Sequence, residues 1–202
     1  AAYITLNLIP DIGPVTVRAL AEALGGTVAD ILACDPRHLP SVRGIGPATI
    51  ERLTAARRKP GLAAEEEKRA AALGLQIVTP ADEGYPEPLR TLHDPPLALY
   101  FKGEWRKEDR KAVALVGSRQ TTSYGREMAA QLASDLVRAG FTVVSGLARG
   151  IDTCAHRGAL EAGGRTLAVL GGGLHDIYPP ENRELAEDVA RHGALISEFP
   201  VG

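Results

Sequence analysis

The sequence predicts an α/β protein in which a parallel sheet follows a small all-helical domain, and three observations predict it. Two short β-branched runs, Ala112–Val116 and Phe141–Val144, each stop at Gly or Ser and flank a segment from about Thr122 to Ala139 with helical spacing. A strand, helix, strand unit of this length implies parallel strands buried on both faces. The alternation then repeats through Thr166–Leu170 and Ala194–Ile196, while the residues before position 62 carry a helical repeat instead.

That repeat is an internal echo. Ile12–Leu20 (IGPVTVRAL) and Ile45–Leu53 (IGPATIERL) agree at Ile, Gly, Pro, Thr and Leu, 33 residues apart. The Pro suits a first helical position and the Gly before it permits a sharp hairpin, so each copy reads as helix, hairpin, helix. Gly44-Ile45-Gly46 is the full form of the helix-hairpin-helix signature, whose amides can meet a nucleic-acid phosphate. Asp11 stands where the first copy would have its first Gly, and a carboxylate there repels an anion. The hairpins either touch nucleic acid or only pack, and Arg57-Arg58-Lys59 is either phosphate charge or a solvated helix end. Residues 1–61 are the expected helical domain.

Pro60-Gly61 breaks the helical pattern. Leu62–Leu73, highly charged from Glu65 to Arg69, reads as a solvated connecting helix. Gln76–Thr79 and Leu97–Phe101 read as short strands at one sheet edge, separated by backbone that Pro86, Pro88, Pro95 and Pro96 keep irregular. A connector and edge extension is therefore expected over 62–111, and the sheet domain over 112–202. In that domain Met128, Leu132 and Leu136 recur every fourth residue, flanked by Ala129, Ala133 and Val137, with Gly140 where a left-handed cap belongs. Asp152–Ala162 is the next helix, and another begins near Glu181 or Asn182. The chain leaves no room for antiparallel meanders between these elements, which favours a doubly wound sheet.

In such a sheet, ligands bind outside the carboxyl ends of the strands. Gly117-Ser118-Arg119 and Ser145-Gly-Leu-Ala-Arg149-Gly150 lie there, as do Gly171, Gly172 and Gly173. Small residues expose amides at helix starts, which suit an anion, and an Arg adds a bidentate grip. The pattern reads as a phosphate clamp. Tyr124, Tyr178 and Phe199 follow strand ends, where an unpaired base could stack. His175, Asp176 and Tyr178 share the loop after the third strand, a second place for ligand contact.

Several chemistries fit poorly. There is no G-x-G-x-x-G spacing, no acidic residue ending the second strand, and no G-x-x-x-x-G-K-[ST], so neither a dinucleotide nor a triphosphate loop is expected. Cys154 and His156, two apart on a helix, point to different faces and cannot pair directly; His156 reads as a helix residue bonded to a nearby loop, and Asp152 as a helix cap. Ser118 and Ser145 lack an evident base. No cofactor, no metal and no catalytic residue is expected. Cys34 and Cys154 have no metal-type spacing and suggest no disulfide framework. At 45% hydrophobic, 24% charged and net charge −2, the composition is that of an ordinary globular chain. No apolar run spans a bilayer and no export signal is visible, so a cytoplasmic protein without a membrane partner is expected. A nucleic-acid partner would be held by a local basic patch rather than by overall charge.

A set of motifs resembles one family. They are Asp94–Gly103 (DPPLALYFKG), Val116–Arg119, Ser145–Asp152 followed by His156, Gly171–Gly173, Tyr178–Asn182 (YPPEN) and Ser197-Glu198. Together they resemble the DNA-processing DprA/Smf proteins of natural transformation, over most of the chain from about Asp82 onward. The N-terminal echo resembles the SAM-like domain that precedes that family's extended Rossmann-like fold. The resemblance implies a non-enzymatic protein of competence that binds and protects incoming single-stranded DNA and helps load the RecA recombinase in place of single-strand binding protein. It also implies a homodimer formed through the Rossmann-like domain. Carried onto this sequence, Arg119 and Arg149 are the expected DNA contacts. Gly117, Ser118, Ser145, Gly146, Gly150, Gly171, Gly172, Gly173, Tyr178 and Asn182 complete the phosphate-binding set, and Tyr124 and Phe199 are the stacking candidates. The family's sheet continues past Ser197–Pro200, so the chain reads as truncated within the Rossmann-like domain. Two other classes compete: a nucleotide phosphoribohydrolase of the lysine-decarboxylase-like group, whose Gly-Gly-x-Gly-Thr-x-x-Glu motif is absent, and a structural adaptor acting through the helical domain.

Overall fold

Pro14 and Pro47 each start a helix, as the echo predicts, and the helices pack through the aliphatic positions of the repeat. In order, the elements are α1 (Ala2–Asn7), α2 (Pro14–Leu24), α3 (Val28–Ala33), α4 (Pro47–Arg57), α5 (Leu62–Ala72), β1 (Gln76–Val78), α6 (Glu87–Arg90), β2 (Leu99–Gly103), β3 (Ala112–Ala114), α7 (Ser123–Arg138), β4 (Thr142–Ser145), α8 (Ile151–Glu161), β5 (Thr166–Leu170), α9 (Arg183–His192) and β6 (Ala194–Ser197). The computed structural model describes residues 1–42 and 44–201, and Arg43 and Gly202 lie outside the described residues. The chain divides into two compact units, one of residues 1–73 and 77–99, the other of residues 74–76 and 100–202.

In the first unit the two hairpins share a backbone shape. Gly13 and Gly46 cap α2 and α4 with φ −113° in both, and Asp11 adopts φ 64° where Gly44 adopts φ 93°. Asp tolerates this left-handed region better than most residues, which is why it can replace the glycine. Its carboxylate forms an ion pair with Arg52 of the second copy. Leu6, Ile12, Val17, Leu20, Ile31, Leu53 and Leu97 form the buried core, and Leu62 packs against it. Helix α5 corrects one expectation: it is no solvated connector, because Ala63, Glu66 and Ala70 are buried along one side of it.

The sheet has six strands among the described residues, in the order β1-β2-β6-β5-β4-β3. The pairs β3/β4, β4/β5 and β5/β6 are parallel, and β2 runs antiparallel to β6. Three successive crossovers step across the sheet in one direction, which lays their helices in a single layer. Both α7 and α9 pack against α8. The doubly wound expectation is corrected accordingly: these helices wind one face only.

Two further expectations fail for linked reasons. β3 is an edge strand, shorter than expected, and Ala112 and Ala114 are exposed on it, so it is not buried on both faces. On α7 the buried residues are Ala129 and Ala133, while Met128 and Leu132 remain 37% and 48% exposed. The helix pair explains the inversion. A Cβ on Gly158 of α8 would lie 2.4 Å from the Ala130 carbonyl oxygen, so the backbones approach too closely for any but small residues. Ala133, Val143, Ala155 and Ala159 make up the core beneath that contact.

At the amino ends of the strands a buried ion pair ties the sheet together. Arg165 donates from Nε and Nη2 to both oxygens of Asp109 at 2.9 and 2.8 Å. Thr142 Oγ1 and Arg106 N donate to the same carboxylate, each at 2.8 Å. Burial pushes the Asp109 pKa up, but these hydrogen bonds, Arg165 first, hold it below the ordinary carboxylate value.

Candidate nucleic-acid interface

The carboxyl ends of β3, β4 and β5 open onto a cleft of about 320 Å³, lined by Arg119, Gly146, Ala148, Arg149, Gly171, Gly172, Gly173, Asp176 and Tyr178 among others. Two loops interlock to build it. After β3, Ser118 Oγ donates to the Gln120 carbonyl at 2.5 Å and accepts from Gln120 N at 3.1 Å, closing a local turn. After β4, the chain passes through Leu147 at φ 61° and Gly150 at φ 80°. Ile151 N then donates to the Ser118 carbonyl at 3.2 Å. Gly150 is what allows the contact, since a Cβ there would lie 2.2 Å from Ser118 O and 2.8 Å from Arg119 O. A Cβ on Gly117 would likewise meet the Ile151 side chain at 2.7 Å. The shared Gly and Ser pattern of the two loops is thus a physical joint, and the joint brings Arg119 and Arg149 into one cleft.

The residues expected to touch phosphate divide into three groups. Arg119, Arg149, Gly146, Gly171, Gly172, Gly173 and Tyr178 line the cleft. Gly117, Ser118 and Gly150 make the joint. Ser145 and Asn182, each only 3% exposed, do neither and are corrected as contacts. Ser145 Oγ donates to the Leu115 carbonyl at 2.6 Å, pinning β4 to β3. Asn182 Nδ2 donates to the Leu147 carbonyl and to Thr153 Oγ1, both at 2.8 Å, and so braces the loop that presents Arg149. Tyr124 and Phe199 are exposed but do not line the cleft.

A second correction concerns the amides. Asp152, in the first turn of α8, turns back so that its Oδ2 accepts from Gly146 N at 3.2 Å and Ala148 N at 3.3 Å. A resident carboxylate has taken the donors that the sequence offered to a phosphate. Anion binding at this loop therefore falls to side chains. His156 is buried, bonded through Nδ1 to Thr166 Oγ1 of β5 at 2.7 Å rather than to a loop. Thr166 Oγ1 itself donates to the Val143 carbonyl, which assigns the ring proton to Nδ1. Nε2 is buried without a partner among the described residues, and burial lowers the His156 pKa to about 4.

The two arginines differ in state. Arg119 has no hydrogen-bond or ion-pair partner among the described residues. Arg149 is paired. Its Nε and Nη2 face the two oxygens of Glu181, the second at 3.2 Å, and Nη1 donates to Tyr178 Oη at 3.3 Å. The guanidinium also lies 5.4 Å from the Tyr178 ring centroid, within cation–π range. Glu181 first, then Tyr178, raises the Arg149 pKa, and Arg149 lowers that of Glu181. Sequence reasoning passed over Glu181, whose only signal was its place in Tyr178–Asn182. Asp176 adds a carboxylate to the cleft lining, paired with Arg183 at 3.0 Å.

Residues 76–202 match the family model of DNA recombination-mediator protein A, and residues 3–59 match a SAM-like helix-hairpin-helix tandem. The chain is 36% identical to protein Smf of Synechocystis over 208 aligned residues, covering 100% of this chain and 51% of that protein. It is 38% identical to the DNA processing protein DprA of Bacillus subtilis, covering 63% of this chain and 43% of that one. The chain thus spans about half the length of these relatives. The X-ray structure of DprA from Streptococcus pneumoniae superposes with a TM-score of 0.72 at 26% identity, over 100% of this chain and 69% of that one. A DprA from Helicobacter pylori, described for its single-stranded DNA binding mode, gives 0.52 at 32% identity, over 61% and 56%. Because that family model matches more than half of the chain, the chain belongs to the DNA recombination-mediator protein A (DprA/Smf) family.

Proposed function

We infer that this chain binds single-stranded DNA, gripping the phosphate backbone at the carboxyl rim of the sheet, as part of DNA processing in natural transformation. The observation that carries the reading is that Arg119 and Arg149, 30 residues apart in sequence, line one cleft whose loops are jointed to each other. Guanidinium groups are suited to phosphate, and the exposed Tyr178 ring gives an unpaired base a stacking face. The relative described for single-stranded DNA binding supports the ligand class. The role is non-catalytic. Ser118, Ser145 and His156 serve structural bonds, to Gln120, the Leu115 carbonyl and Thr166 respectively. The partners that complete this role are RecA, single-strand binding protein and a second copy of the chain.

Fluorescence anisotropy with labelled oligothymidylates of several lengths, at two ionic strengths, tests the reading. Binding should be tolerant of sequence and should weaken with salt. Arg119→Ala should lower affinity roughly tenfold and shrink the salt slope by about 0.7, the value for one phosphate contact on a single strand. Undiminished binding by the Arg119→Ala, Arg149→Ala double variant rejects the reading.

A further inference from the structure

The ion-pair partner of Arg149 is Glu181. Its carboxylate meets Arg149 in the two-pronged geometry that a backbone phosphate would use, from Nε and Nη2 together. The third prong, Nη1, goes to Tyr178 Oη, and the Tyr178 ring lies beside the guanidinium. All three nitrogens of Arg149 are thus engaged, and the Nε/Nη2 edge that suits a bidentate phosphate is taken by Glu181. Arg119, in the same cleft, is unencumbered among the described residues.

The carboxylate is held there by its chain neighbour. Glu181 and Asn182 share a short 3₁₀ turn, Pro180–Asn182. Asn182 is bonded to the Leu147 carbonyl in the Arg149 loop and to Thr153 in α8. The backbone that carries Glu181 is therefore fastened to the backbone that carries Arg149. The side chains themselves are about half exposed, so the ion pair can open at modest cost without unfolding anything.

We propose that Glu181 is a built-in competitor: it and Tyr178 latch Arg149 in the free protein, and a DNA phosphate must displace the carboxylate to engage that arginine. This rests on the reading of the cleft as a DNA site and adds an order of events. The strand is first met by the unpaired Arg119. A neighbouring phosphate then exchanges with Glu181 on Arg149, and Tyr178, released from the guanidinium, becomes free to stack on a base. An isolated small anion gains little here, because Glu181 and Asp176 offset the arginines; a strand already held at Arg119 presents its next phosphate at high local concentration. The latch thus favours polymer over free nucleotide.

The test compares the wild type with Glu181→Gln, which keeps size and shape and removes the charge. Labelled oligothymidylate should bind Glu181→Gln about threefold more tightly, the scale set by an exposed ion pair. The Arg149 Nε–Hε signal in an arginine-selective ¹H–¹⁵N spectrum should shift in the free variant. In the wild type it should shift only when oligonucleotide is added. A urea midpoint equal to wild type controls for folding. Equal or weaker binding by Glu181→Gln, with Arg119→Ala and Arg149→Ala still weakening the wild type, overturns the latch and leaves the DNA site standing. If neither arginine variant weakens binding, the DNA site and the latch fall together.

Discussion

Gly150→Ala concentrates the argument about the site into one methyl group. The residue adopts φ 80° and ψ −123°, a region that L side chains enter at a cost of about 1–3 kcal/mol. The added Cβ would also stand 2.2 Å from Ser118 O and 2.8 Å from Arg119 O, roughly 1 Å inside normal contact, and overpacking of that kind costs about 1–3 kcal/mol. The two loops must part, and the Ile151 N to Ser118 O hydrogen bond parts with them. Together these predict a loss of about 3 kcal/mol, seen as a urea midpoint lowered by roughly 1–2 M. Because the joint sets the spacing of Arg119 and Arg149, oligothymidylate affinity by anisotropy should fall about tenfold even at urea-free stability, with the salt slope reduced. Gly171→Ala is the internal control. It lies in the same cleft, but a Cβ there meets nothing within 4 Å, so the urea midpoint should stay within about 0.3 M of wild type. Wild-type stability and binding in Gly150→Ala, or an equal destabilisation in Gly171→Ala, would refute the jointed-loop account.

Three other perturbations follow from the same contacts. Asn182→Ala removes the donor to Leu147 O and strands a buried carbonyl, which should cost about 2 kcal/mol; because Asn182 braces the Arg149 loop, anisotropy at two ionic strengths should show weaker binding with a reduced salt slope. Asp109→Ala leaves Arg165 without its counter-charge at the opposite end of the sheet, so chemical denaturation should show a loss of about 3 kcal/mol, while the residual folded protein binds DNA as wild type. His156 supplies a pH dependence: its pKa is about 4 in the fold against about 6.5 in an unfolded chain. Above pH 6.5 both states are neutral and the stability is complete. As pH falls through the window the unfolded state takes the proton first, and by pH 4 about 3 kcal/mol is lost. Subtracting the stability profile of His156→Gln from that of wild type should isolate this slope between pH 6.5 and 4, and a flat difference would contradict it.

What was legible in the sequence was what local pattern encodes. The β-branched runs marked β4, β5 and β6 to within a residue, and the paired Pro positions marked the starts of α2 and α4. The burial of α7 was not legible, because Met128 and Leu132 outrank Ala129 and Ala133 in apolarity. Only the approach of Gly158 to Ala130, 28 residues apart, reverses that ranking. Glu181 escaped for the same reason. A carboxylate in a proline-rich loop looks solvated until Arg149, 32 residues upstream, is placed against it.

Asp152 and Glu181 together say how this rim differs from the phosphate loops that its sequence suggests. A glycine-rich strand-to-helix turn ordinarily offers its amides to the anion. Here the carboxylate of Asp152 fills that position permanently, since it is buried and bonded to Gly146 and Ala148. The carboxylate of Glu181 pairs with Arg149 at the surface, where both side chains are about half exposed. With the Gly146 and Ala148 amides spent on holding that loop, anion binding there passes to Arg149, set against Arg119 by the joint at Gly150. On the proposed reading, a site built this way responds to the separation of charges along a strand rather than to the shape of one phosphate, and its affinity should carry the ionic-strength dependence of a side-chain contact.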